Sequence, residues 1–143
     1  MIQENVSERL DIKQALLAAV EDEADPAALF ATSTSGLRIT DIAAQARHPR
    51  RCLGAHPYNP PHLMPLVELT KSVRTDNAVM ETAREFYVAV GKEPIVLGHE
   101  AVGFVGNRLQ FALYREAVDL VLKGVCTVED VDKGKRPANP SSL

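Results

Sequence analysis

At 143 residues, with 45% hydrophobic and 24% charged residues, the chain carries enough apolar material for one ordinary globular core. Sixteen Lys and Arg against nineteen Asp and Glu leave a net charge of −3, which removes the basic footprint that nucleic-acid binding needs. The two cysteines, Cys52 and Cys126, make neither a metal cluster nor a disulfide framework, and no apolar run approaches the ~20 residues of a membrane span.

In chain order, Ser7 is placed to cap a first helix through Leu10, Leu16, Leu17 and Val20, closed by Asp25-Pro26; no strand is expected before it. Residues 28–32 (ALFAT) read as a short strand, and Ser33 to Gly36 turn out of it. A short helix over 40–46 stops at His48-Pro49. Strands follow at 51–55 and 66–70, separated by a proline loop. Asp76 caps an amphipathic helix with Val79, Ala83, Phe86, Tyr87 and Val90 inward, ended by Gly91. A strand at 94–97 completes an α/β alternation with crossover connections. After residue 98 the pattern changes to a long helix over 102–123. Thr127 to Asp130 has the form of a capping box opening another helix. The final KGKRPANPSSL lacks periodicity, so 133–143 are expected to be a disordered tail.

The richest stretch is CLGAHPYNPPHLMPLVEL, residues 52–69. It sets His56 at the end of one apolar run and Glu68 within the next. Two short strands that bring a His and a Glu together make a general base with an orienting partner. An imidazole's ordinary value of about 6.5 suits proton exchange near neutrality. Taken singly, His56 could cap a strand end and Glu68 could sit on a solvated face. His48, His62 and His99 lie in loop-like stretches without such a partner. Ser35 follows a strand, where the C-terminal edge of a sheet presents groups to a ligand, although a serine there is also ordinary turn chemistry. Asn107 stands near the start of the long helix, a position that capping alone would explain.

Together with QENVSERL (3–10), STSGL (33–37) and GFVGNRL (103–109), this stretch resembles the NAD-dependent 3-hydroxyacyl-CoA dehydrogenases, the resemblance covering about residues 2–132. Within them it is most similar to the lambda-crystallin or L-gulonate 3-dehydrogenase branch. Gly36 agrees with that branch where the acyl-CoA enzymes of fatty acid metabolism carry a serine. The resemblance implies that His56 is the base, Glu68 its orienter, and Ser35 and Asn107 the groups that bind the substrate oxygen. It further implies that Asn59 supports the nicotinamide, with Ser35 beside it. Glu4 and Arg9 fall on cofactor-contacting positions, Arg9 replacing a lysine. The implied fold is the C-terminal half of a Rossmann-type sheet (1–98), followed by the first helices of an all-α domain (99–132). NAD is the implied cofactor, a small 3-hydroxy acid or 3-hydroxyacyl-CoA the substrate, and no metal is implied.

The eight glycines form no G-x-G-x-x-G turn, the element that grips a dinucleotide pyrophosphate. The resemblance therefore implies a partial enzyme beginning at the end of the fourth strand of its cofactor domain. The strand at 28–32 should then be an exposed edge, and the apolar face of the 102–123 helix should favour homo-oligomers. An oxidoreductase fragment is one reading. The other is a non-enzymatic product: an inactive remnant, a complementing fragment or a lens-type structural relative. A helical interaction module at 102–132 is a third. A polar start without a signal-peptide core makes the cytoplasm the expected location, with mitochondrion and peroxisome open.

Overall fold

A computed structural model describes residues 1–134. The chain divides into two compact units, residues 1–105 and the segment from Gly106 onward, each treated by itself. The first holds a five-stranded mixed sheet in the order β1 (Ile2–Glu4), β2 (Phe30–Thr32), β3 (Cys52–Pro57), β4 (Leu66–Lys71) and β5 (Glu93–Val96). β1, β2 and β3 run parallel, β4 runs antiparallel to β3, and β5 is parallel to β4. The proline-rich connection between β3 and β4 thus reverses the chain instead of crossing over. That reversal sets His56 opposite Glu68.

Alternation along the strands sends side chains to two helical layers. On one face Leu53, Ala55, Val67 and Leu69 pack against Val79, Met80, Ala83 and Tyr87 of α3 (Asn77–Ala89). On the other, Phe30 and Cys52 meet Leu17 of α1 (Leu10–Glu23) and Ile39 and Ile42 of α2 (Ile39–Ile42). Burial pushes the Cys52 thiol up to about 12, with Glu21 adding to it, so this sulfur is a packing group at neutral pH. Gly54 lies between its neighbours on this second face: a Cβ there would stand 2.5 Å from Thr70 Cγ2 and 2.8 Å from Ile39 Cδ1. Gly54→Ala should therefore cost about 1–3 kcal/mol through overpacking. Urea unfolding followed by circular dichroism checks this, and an unchanged midpoint would refute it.

Several expectations are corrected here. The strand at 28–32 is not an edge, because Ile2–Glu4 forms β1 and pairs in register with Phe30–Thr32. A strand therefore does precede the first helix. Polar Gln3 and Glu4 are accommodated by internal partners, Gln3 accepting from Tyr87 Oη. α1 starts at Leu10 with Arg9 as N-cap and no side-chain cap, so Ser7 lies in the preceding turn. On α3, Phe86 and Val90 are exposed and Met80 is buried in their place. Asp76 holds the N-cap position but directs its side chain to Arg50.

In the second unit α4 runs Gly106–Leu122 rather than from 102. Gly103 (φ +78°) and Phe104 (φ +47°) turn the backbone left-handed just before it, which an α-helix cannot accommodate. α5 (Val128–Gly134) opens as expected, with Thr127 and Asp130 exchanging side-chain-to-backbone hydrogen bonds at 3.2 Å. Of the tail expected over 133–143, Lys133 and Gly134 belong to α5, and residues from 135 onward lie outside the described residues. Among those described, no helix is long and apolar enough to cross a membrane.

Candidate active site

The register of β3 and β4 makes His56 and Glu68 a directly facing pair on the α2 side of the sheet. His56 Nδ1 lies 3.0 Å from Glu68 Oε2. Glu68 is fully buried and His56 nearly so. With Glu68 as a carboxylate and the ring neutral, Nδ1 carries the hydrogen of this bond and Nε2 keeps its lone pair. Ser35, in the turn after β2, brings its Oγ to 3.2 Å from that Nε2 and donates to it. Tyr58 Oη donates to the same Glu68 Oε2 at 3.2 Å, and the Val105 amide donates to Oε1 at 2.9 Å. The imidazole is walled by the Tyr58 ring at 5.1 Å and the Phe104 ring at 5.2 Å, centre to centre. Phe104 is a bulky residue in the left-handed region. Such strain persists where the surroundings over-determine it, here with the ring set against the histidine.

The Ser35 turn is organised by Glu8. Its Oε1 accepts from the amides of Ser35, Gly36 and Leu37 at 2.9, 2.8 and 3.2 Å, and from Thr34 Oγ1 at 2.5 Å. Burial alone would raise the Glu8 carboxyl. The donors from Thr34, Gly36 and Ser35, with the charge of Lys13, outweigh it and hold the group below the ordinary carboxylate range. Lys13 is fully buried. It bridges both oxygens of Glu4 at 2.9 Å and stands 3.5 Å from Glu8 Oε2.

Ser35, His56 and Glu68 are thus gathered into one hydrogen-bonded row. Asn59 lies just beyond, exposed, at the cis peptide bond to Pro60. Glu4 points inward, its carboxylate engaged by Lys13, Thr32 Oγ1 and the Val6 amide. Arg9 is exposed and bound to Asp11. Asn107 belongs to the first turn of α4 in the second unit. The motif reading passed over Glu8, Lys13, Tyr58 and Phe104. Lys13 carried a usable signal: it precedes buried Leu17 by one helical turn, on the inward stripe. Among the described residues no cluster of three or more His, Cys, Asp or Glu is arranged for a metal.

The residues present fit one end of a dinucleotide. Polar groups with open hydrogen-bonding capacity stand at the C-terminal ends of β2 and β3, where such folds receive a ligand. The Gly-rich phosphate cradle is not among the 143 residues.

Comparison with known proteins identifies the family. The family model described as 3-hydroxyacyl-CoA dehydrogenase, NAD binding domain, matches residues 1–101, and the C-terminal domain of the same family matches residues 103–139. L-carnitine dehydrogenase of Mesorhizobium japonicum is 43% identical over 132 residues, covering 92% of this chain and 36% of that protein. The 3-hydroxyacyl-CoA dehydrogenase of Gibberella moniliformis is 44% identical over 133 residues, covering 92% and 41%. The crystal structure of the 3-hydroxyacyl-CoA dehydrogenase from Archaeoglobus fulgidus superposes with a TM-score of 0.81 at 35% identity, covering 92% of this chain and 44% of that one. The chain spans about two fifths of the length of the curated relatives it matches. With an NAD-binding-domain model matched over most of its length, the chain belongs to the 3-hydroxyacyl-CoA dehydrogenase family.

Proposed function

We propose that this chain supplies the proton-transfer half of an NAD-dependent dehydrogenase acting on a small, free 3-hydroxy carboxylate. The observation that carries the reading is the row Ser35–His56–Glu68, with His56 Nε2 facing Ser35 Oγ and Nδ1 facing Glu68. His56 Nε2 takes the proton of the substrate hydroxyl while Ser35 Oγ turns to donate to the same oxygen. Glu68 holds the ring in the Nδ1–H tautomer and stabilises the imidazolium that forms. NAD, when bound, accepts the hydride from the carbon that carries the hydroxyl. Asn59 would stand on the nicotinamide side, while Asn107 belongs to the second unit and keeps only the role the family resemblance implies. The packing of Glu4 against Lys13 favours a structural task for it over cofactor contact, and Arg9 would be a peripheral contact.

Relatives named L-carnitine dehydrogenase favour a free acid over an acyl-CoA. L-Gulonate, the substrate of the branch that the HPYNPP stretch resembles, is likewise a 3-hydroxy carboxylate. A partial cofactor domain over 1–98, a helical segment over 99–132 and a cytoplasmic location go with this reading. So does self-association, supported by exposed Leu109 and Leu113 on α4.

The test grafts residues 2–132 into the matching segment of the Mesorhizobium japonicum L-carnitine dehydrogenase. NADH formation is then followed with L-carnitine, L-gulonate and 3-hydroxybutyryl-CoA. Turnover of either free acid is expected. Turnover of the acyl-CoA alone would overturn the substrate class, and a folded but inert graft would overturn the reading itself.

A further inference from the structure

We infer that Tyr58 is a positioning residue that sets the basicity of His56 through Glu68. The inference rests on the reading of His56 as the base. Tyr58 follows His56 by two residues, so at the end of β3 both side chains emerge on the same face of the sheet. Its hydroxyl reaches Glu68 Oε2 at 3.2 Å, the oxygen that also receives the His56 Nδ1 hydrogen at 3.0 Å. Its ring meets the imidazole edge-on, with the planes at 66°. One oxygen thus serves two donors, and their effects on it are coupled.

A proton arriving at Nε2 makes the ring an imidazolium, held in place by its attraction to Glu68. A second donor on Oε2 withdraws electron density from that oxygen and weakens the attraction. The phenol on Oε2 therefore offsets part of the attraction that Glu68 alone would exert on the imidazolium. Charged groups near the imidazole include Glu68 on β4 and, through the Ser35 turn, Glu8 with Lys13 behind it. The segment ahead of α4 contributes the Phe104 ring and, on Glu68, the Val105 amide.

Proton NMR titration of the histidine C2 signals in the whole 143-residue chain tests this without cofactor or substrate. His56→Gln identifies the His56 resonance among the four histidines. In Tyr58→Phe the titration midpoint of His56 is expected to move up by about half a unit to one unit. In a Glu68→Gln background the same Tyr58→Phe change should leave the midpoint in place, since the coupling runs through the carboxylate. An unmoved or lowered midpoint in Tyr58→Phe would overturn the inference. So would a shift that persists without the carboxylate, or collapse of the His56 signal to its unfolded position, which would mark a merely structural role. Because the readout is proton binding and not turnover, failure here leaves the assignment of His56 as base to the activity measurements. An inert enzyme, conversely, leaves this coupling measurable.

Discussion

Replacing His56 with Gln in the active graft lowers kcat by about two to four orders of magnitude, the range a positioned general base supplies. Gln keeps a polar side chain opposite Glu68 but has no lone pair of comparable basicity at the Nε2 position, where Ser35 Oγ now donates. The loss should fall on kcat with KM little changed, because the proton moves only in the transition state. Binding of NADH, followed by nicotinamide emission, should persist because His56 is not needed to grip the dinucleotide. Ser35→Ala, which removes a single donor at 3.2 Å, should be milder. A His56→Gln enzyme within tenfold of the parent would remove the imidazole from the mechanism.

Lys13→Met destabilises the chain by about 3–5 kcal/mol, the cost of leaving a buried charge without its partner. The side chains of Lys13 and Glu4 have no solvent exposure, and the ammonium touches both carboxylate oxygens at 2.9 Å. Met replaces the aliphatic stem and removes the charge, so Glu4 must either stay ionised in an apolar setting or take up a proton. Against the 5–15 kcal/mol stability typical of whole domains, this loss is large. Adding Glu4→Gln should recover part of it, because a neutral amide still meets Thr32 and the Val6 amide without demanding a cation. Urea unfolding of the two variants at pH 7 checks this. A single variant as stable as the parent would show the pair to be dispensable. The loss should also loosen the Ser35 turn, since Lys13 supports Glu8 at 3.5 Å and Glu8 collects the amides of residues 35–37.

These two sites differ in how visible they were in the chain. His56 and Glu68 could be paired from sequence because local rules suggest the two runs that carry them and the family resemblance matches the pair. Two apolar runs of strand length flank a proline-rich reversal, and alternation along each strand carries both side chains to one face. The Thr127–Asp130 box and the Gly91 stop on α3 were legible for the same reason, each being decided within a few residues. The cluster around Glu4 was not. IQE has too little apolar character to announce a strand, and becomes one because Phe30–Thr32 offers it a parallel ladder 28 residues away.

The sequence by itself therefore determined the α/β alternation and strands expected at 51–55 and 66–70, which the structure shows at 52–57 and 66–71, through periodicity and turn chemistry acting over short spans. The pairing of His56 with Glu68 it supplied through the family resemblance. Only the tertiary structure decided that β1 covers the edge of β2, that Lys13 is buried against Glu4, and that Glu8 gathers the Ser35 turn. It alone brought Phe104 and the Val105 amide from the end of the unit onto His56 and Glu68. The physical reason is that each of these contacts joins side chains on different elements. Their energy depends on desolvation and on partners that arrive only when the sheet is assembled, and no residue pattern along one element records who those partners will be.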